Sequence, residues 1–146
     1  MKVCDYVAQF LADQGVTHAF GIIGGGNVTM WDAITRLGAT QIICTHHEQA
    51  ATMAASYYAR ISGKLGVAIV TSGAGSANAI TGVIAANMDS VPLLILSGNE
   101  NANTLRAHRR VLGMQGYDSI QSVNHVTKDA WRMWSPKFAS GLESAV

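Results

Sequence analysis

Apolar positions along this chain switch repeatedly between helical spacing and short unbroken runs. Val3, Val7, Phe10 and Leu11 recur at helical intervals, and Gly15 is placed to end that helix. A strand is predicted over 16–20, running into Gly21-Ile22-Ile23-Gly24-Gly25-Gly26. A helix follows over 28–37, capped by Asn27 and closed by Gly38. The run 41–44 reads as a short buried strand. Residues 49–62, rich in Ala, Met and Tyr, read as a helix that Ser62-Gly63-Lys64 turns back. A strand at 65–70 leads into the small-residue loop Thr71-Ser72-Gly73-Ala74-Gly75-Ser76-Ala77-Asn78, then a helix over 78–88 and a strand over 92–97. Beyond Asn101 the periodicity weakens. Residues 103–116 are polar and basic and read as a long loop, a length usually tied to function or to a partner. A short helix at 118–123 and a last strand at 130–134 are expected. Ser135-Pro136 then opens a terminal helix that is still amphipathic at Val146, as in a piece of a longer protein or a split subunit.

Strands alternating with helices across short connections predict one α/β domain, 1–146, with a mostly parallel sheet and helices on both faces. Three glycine-rich or small-residue loops and the turn at Glu48 all follow strands, so they gather along the carboxyl edge of the sheet. Ligands of open parallel sheets bind at that edge.

Composition narrows the choices. Of 146 residues, 49% are hydrophobic and only 13% charged, which points to surface covered by another domain or subunit. A net charge of +1 supplies no basic stripe for nucleic acid. The cluster Arg106, His108, Arg109 and Arg110 reads as a solvated loop or an interface. Cys4 and Cys44 lack metal-site spacing and read as buried thiols of a cytoplasmic protein. No apolar run is long enough to span a membrane.

The crowded polar stretch is Thr45-His46-His47-Glu48-Gln49, between a strand and a helix. Burial favours the protonated form of a carboxyl, so Glu48 there is a candidate for holding or donating a proton. It is equally placed to complement the positive end of a helix dipole. The loop at 21–26 is not a dinucleotide fingerprint, and the loop at 71–78 has no P-loop lysine. Both allow a ligand close to the backbone.

The ordered set Phe20-Gly21-Ile22 with Gly24-Gly25, His47-Glu48-Gln49-Ala50-Ala51, Tyr58-Ala59-Arg60, Thr71-Ser72-Gly73, Gly75 with Asn78, and Asp89-Ser90-Val91-Pro92-Leu93 carries a resemblance. Together these resemble the N-terminal pyrimidine-binding domain of thiamine-diphosphate enzymes of the acetolactate synthase and pyruvate oxidase type. The resemblance implies that Glu48 is the catalytic acid, exchanging a proton with the ring nitrogen N1′ of the aminopyrimidine. That exchange promotes loss of the C2 proton of the thiazolium, and the C2 carbon then attacks a 2-keto acid. It further implies that Gly24 and Gly25 lie near substrate, and that Ser72, Gly73, Gly75 and Asn78 line the pyrimidine ring. Gln115 resembles the glutamine of a family segment whose flanks differ here, at Met114 and Gly116. His47 is either a partner of the site or a structural histidine. Ile23 and Ala74 stand where the family usually has proline, which implies looser loops.

No Gly-Asp-Gly with paired asparagines downstream occurs in the sequence. By resemblance, then, Mg2+ and the diphosphate belong to a domain or subunit outside this chain, and no metal is expected on it. A homo-oligomer is also implied. The expected role is the pyrimidine-binding part of an acetolactate synthase-like enzyme that decarboxylates pyruvate or a similar 2-keto acid and transfers the acyl unit. The alternatives are the small subunit of a split sulfopyruvate- or phosphonopyruvate-type decarboxylase and a non-catalytic module of the same fold.

Overall fold

A computed structural model describes residues 1–100, 113–133 and 138–144. In chain order it contains α1 (Val3–Asp13), β1 (His18–Gly21), α2 (Val28–Leu37), β2 (Gln41–Cys44) and α3 (Glu48–Ser62). Then come β3 (Gly66–Val70), α4 (Ala74–Asn78), α5 (Ile80–Met88) and β4 (Leu93–Ser97). A 3-10 turn (Gly113–Gly116) and short helices Ser119–Val123 and Phe138–Ser144 complete the described elements.

The four strands form one all-parallel sheet in the order β2-β1-β3-β4. Side chains alternate across it, as the period of two demands. Ala19, Ile42, Val67, Ile69, Leu94 and Leu96 face α1 and α2, joining Val7, Phe10, Leu11, Trp31 and Ile34 in one core. Phe20, Ala68, Leu93 and Ile95 face α3 on the other side. Helices therefore cover both faces. Val67, Ile69 and Val70 are fully buried, and each contributes about 1.5–3 kcal/mol. On the α3 side, Ala51, Ala55 and Ala59 recur every four residues and present only methyl groups to the sheet. A Cβ placed on Gly66 would stand 2.9 Å from the Ala55 carbonyl carbon, so the helix lies almost directly on β3.

Chain direction gives the loop edge its meaning. From β1 the chain moves outward to β2, then α3 carries it back over the sheet to β3 on the opposite side of β1. The order reverses between β1 and β3, and at such a switch point the loops part and leave a crevice.

Several expectations are corrected. The strand expected to be buried at 41–44 is mostly exposed, Cys44 included, because β2 is a four-residue edge strand with little covering its outer end, and Cys4, on α1, is half-buried. Residues 130–133 form no strand; Trp134 lies outside the described residues. Side chains hold that segment instead: Trp131 lies against Gly141, Arg132 pairs with Asp118, and Met133 packs on the first core. The helix expected at 78–88 begins earlier, as α4, and is broken at Ala79. The terminal helix is described from Phe138, and its Leu142 is fully buried in the first core. Tyr6 of α1 donates to Glu143 Oε1 at 2.6 Å, and that carboxylate raises the tyrosine pKa. The basic cluster at 106–110, and residues 103–112 of the expected long loop, lie outside the described residues.

Candidate functional site

Two loops meet at the switch point. The first leaves β1, and its shape comes from Asn27, which is 1% exposed. Asn27 stands at the start of α2, yet its side chain makes no cap. It turns back, accepting from Gly24 N at 2.8 Å and donating to Ile22 O at 2.9 Å. One buried amide thus staples the glycine run. The second loop leaves β3, turns at Gly73 (φ 61, ψ −113) and enters α4. Positive φ at that turn favours glycine. Ser76 Oγ donates to Gly73 O at 2.8 Å and steadies the turn.

Thr71 joins the two loops. A Cβ on Gly24 would stand 2.7 Å from Thr71 Cβ, and one on Gly75 would stand 2.6 Å from Thr71 Cγ2. Both glycines are therefore places of close approach where no larger residue fits as the loops stand.

Glu48 opens α3 beside this junction and is 8% exposed. Its Oε2 accepts from Asn78 Nδ2 at 3.0 Å. Among the described residues Oε1 has no hydrogen-bond partner, and it faces Gly75, where a Cβ would come within 2.9 Å. His47 is exposed, and its Nδ1 accepts from Gln49 N at 3.2 Å, which caps α3. Ser72, 2% exposed, donates from Oγ to Gln115 Oε1 at 2.8 Å and ties the 3-10 turn to the loop after β3.

The structure thus brings Glu48, Gly75 and Asn78 into contact, with Gly24 joined to them through Thr71. Ser72 and Gly73 lie on the same loop as Gly75, and Gln115 reaches it from the 3-10 turn through Ser72. Gly25 stands apart, with nothing within 4 Å of the position its Cβ would take. Sequence reasoning named Thr71 only as part of a motif and misread Asn27 as a cap. A polar residue directly after a glycine run was the available signal for the second.

A nearly buried carboxyl with one oxygen fixed and the other free, beside backbone stripped of side chains, suits a flat heterocycle that offers a protonatable ring nitrogen. Among the described residues no group of three or more His, Cys, Asp or Glu could hold a metal ion. No helix among them is long and apolar enough to cross a membrane. Two concavities flank α1, one lined by Asp5, Ala33 and Arg36, the other by Tyr6, Phe10 and Glu143. Neither reaches the loop edge.

Comparison with known proteins gives a consistent picture. The family described as thiamine pyrophosphate enzyme, N-terminal TPP binding domain, matches residues 1–123. The chain is similar to the acetolactate synthase large subunit of Buchnera aphidicola subsp. Schizaphis graminum, 39% identical over 122 residues, covering 84% of this chain and 20% of the relative. The acetolactate synthase isozyme 3 large subunit of Escherichia coli strain K12 gives the same identity and coverage. The large subunit of Lactococcus lactis subsp. lactis is 48% identical over 92 residues, 63% of this chain and 16% of the relative. The chain spans about a fifth of the length of the curated relatives it matches.

Proposed function

This chain belongs to the thiamine pyrophosphate enzymes, as their N-terminal TPP binding domain, and we propose that it binds and activates the pyrimidine end of thiamine diphosphate in an acetolactate synthase-like carboligase. The observation that carries the reading is Glu48, 8% exposed as a residue, whose Oε1 has no hydrogen-bond partner among the described residues and faces Gly75 at the switch point. Thiamine diphosphate, when bound, supplies a carbon centre that adds to the carbonyl of a 2-keto acid and takes up the electrons of the broken carbon–carbon bond. Glu48 holds or releases a proton at Oε1 toward the ring nitrogen. Gly73 and Gly75 keep side chains out of the ring's path. Ser72 donates to Gln115 Oε1, and the Gln115 amide nitrogen has no partner among the described residues. Gly24 and Gly25 border the space for the 2-keto acid.

Mg2+ and the diphosphate fall to a further domain or subunit, and the whole enzyme decarboxylates pyruvate or a close analogue. The relatives support this division, since about four-fifths of their length lies outside the match. The two free cysteines suit the cytoplasm. Glu48→Gln, with the diphosphate-binding half supplied, tests the assignment. The amide can still accept from Asn78, so the fold persists, but it cannot exchange a proton. Exchange of the C2 proton of bound cofactor, followed by NMR, should slow by about 10²–10⁴-fold. Exchange at the wild-type rate would refute the role of Glu48.

A further inference from the structure

We propose that Asn78 is a positioning residue, which decides the oxygen of Glu48 that handles the proton and does not itself bind the cofactor. The proposal rests on the functional reading above and refines one site residue expected to line the ring. Asn78 Nδ2 points at Glu48 Oε2 and lies 3.0 Å from it. In a protonated carboxyl the carbonyl oxygen is the better acceptor, so the N–H of Asn78 on Oε2 favours the hydrogen of a protonated Glu48 on Oε1. That oxygen faces Gly75, the residue whose missing side chain leaves room. The acid is thereby oriented before any ligand arrives.

The geometry is built, not incidental. Thr52, fully buried one turn along α3, places Oγ1 3.2 Å from Glu48 O, 3.0 Å from Gln49 O and 3.4 Å from Ala79 O. Its single hydrogen is best placed for Gln49 O within α3, and the hydroxyl lies against Ala79, the residue after Asn78, at the break between α4 and α5. Gly82 allows the approach, since a Cβ there would stand 2.6 Å from Thr52 Cβ.

The first test uses the 15N-labelled chain without cofactor. The Asn78 side-chain NH2 signals, identified by their loss in Asn78→Asp, should shift in one transition on acidification, and Glu48→Gln should abolish that transition. An Asn78 signal that follows no transition removed by Glu48→Gln overturns the proposal, whatever the enzyme does. The second test supplies the diphosphate-binding half with thiamine diphosphate and Mg2+. Asn78→Ala and Asn78→Asp should slow C2-proton exchange by about 10- to 100-fold at saturating cofactor, with Kd within about 3-fold of wild type. A Kd raised more than about 10-fold, with exchange restored at saturation, would make Asn78 a cofactor contact and refute its positioning role. Failure of the functional reading itself would appear elsewhere, as normal exchange in Glu48→Gln.

Discussion

Gly75→Ala places a methyl group where the structure leaves room for none. Its carbon would stand 2.6 Å from Thr71 Cγ2, 2.9 Å from Glu48 Oε1 and 3.5 Å from Thr71 Cβ. Carbon atoms in contact prefer about 3.5–4.0 Å, so the Thr71 methyl must rotate away and the carboxyl must retreat by about half an ångström. Overpacking of this kind costs about 1–3 kcal/mol, while replacing a helical glycine by alanine returns about 1 kcal/mol. The net loss is at most about 2 kcal/mol, or a fall in Tm of under about 8 °C at this chain length. The effect on function should be larger in proportion. Misplacement by 1 Å can cost about 100-fold, so half that displacement predicts roughly 10-fold slower C2-proton exchange. Calorimetry of the chain and NMR exchange with the diphosphate-binding half supplied read the two quantities separately. Thr71→Ser in the Gly75→Ala background removes the clashing methyl and should restore Tm without restoring exchange. A collapse of Tm with normal exchange in the surviving fraction would show the loop to be purely structural.

The remaining predictions concern other parts of the chain. Asn27→Ala leaves the amide of Gly24 and the carbonyl of Ile22 without their side-chain partner, and should lower unfolding stability by about 2–4 kcal/mol in urea titrations; a change below about 0.5 kcal/mol would show that the staple is not needed. The exposed residues Tyr57 (62%), Ile61 (86%), Ile84 (42%) and Met88 (77%) lie on the adjoining helices α3 and α5, and the isolated chain should self-associate through them. Sedimentation velocity should show mass above the monomer that Ile61→Lys with Met88→Lys reduces; a monomer at all concentrations would contradict this.

Much of the fold was legible because period and punctuation agree. Gly38 and Gly63 do end α2 and α3, each in the left-handed region, and the alanine-rich segment is the helix that lies on the sheet. What was not legible depends on tertiary context. The run at 130–133 has strand-like residues, yet Trp131 and Met133 are used to bury surface against the terminal helix and first core, so no ladder forms. Cys44 belongs to an apolar run, but an edge strand buries only what its neighbours cover. For the site, the residue types at Glu48 and Gly75 pointed to chemistry. The partner of each depended on loops distant in sequence: Asn78 is 30 residues from Glu48, and Gln115 is 43 from Ser72.

The same contacts bear on Ile23 and Ala74, the two positions where the resemblance implies a usual proline. A proline compatible with its site stabilises by about 0.4–1 kcal/mol, mainly by restricting the unfolded chain. Each internal hydrogen bond contributes about 0.5–1.5 kcal/mol. Asn27 makes two such bonds within the first loop, on either side of Ile23. Ser76 Oγ to Gly73 O and Ser72 Oγ to Gln115 Oε1 do the same for the loop containing Ala74. In each loop the bonds are worth at least as much as the missing ring. The looseness implied by losing proline is therefore offset in the folded chain, and the loops can hold Gly24 and Gly75 at close approach to Thr71 without it.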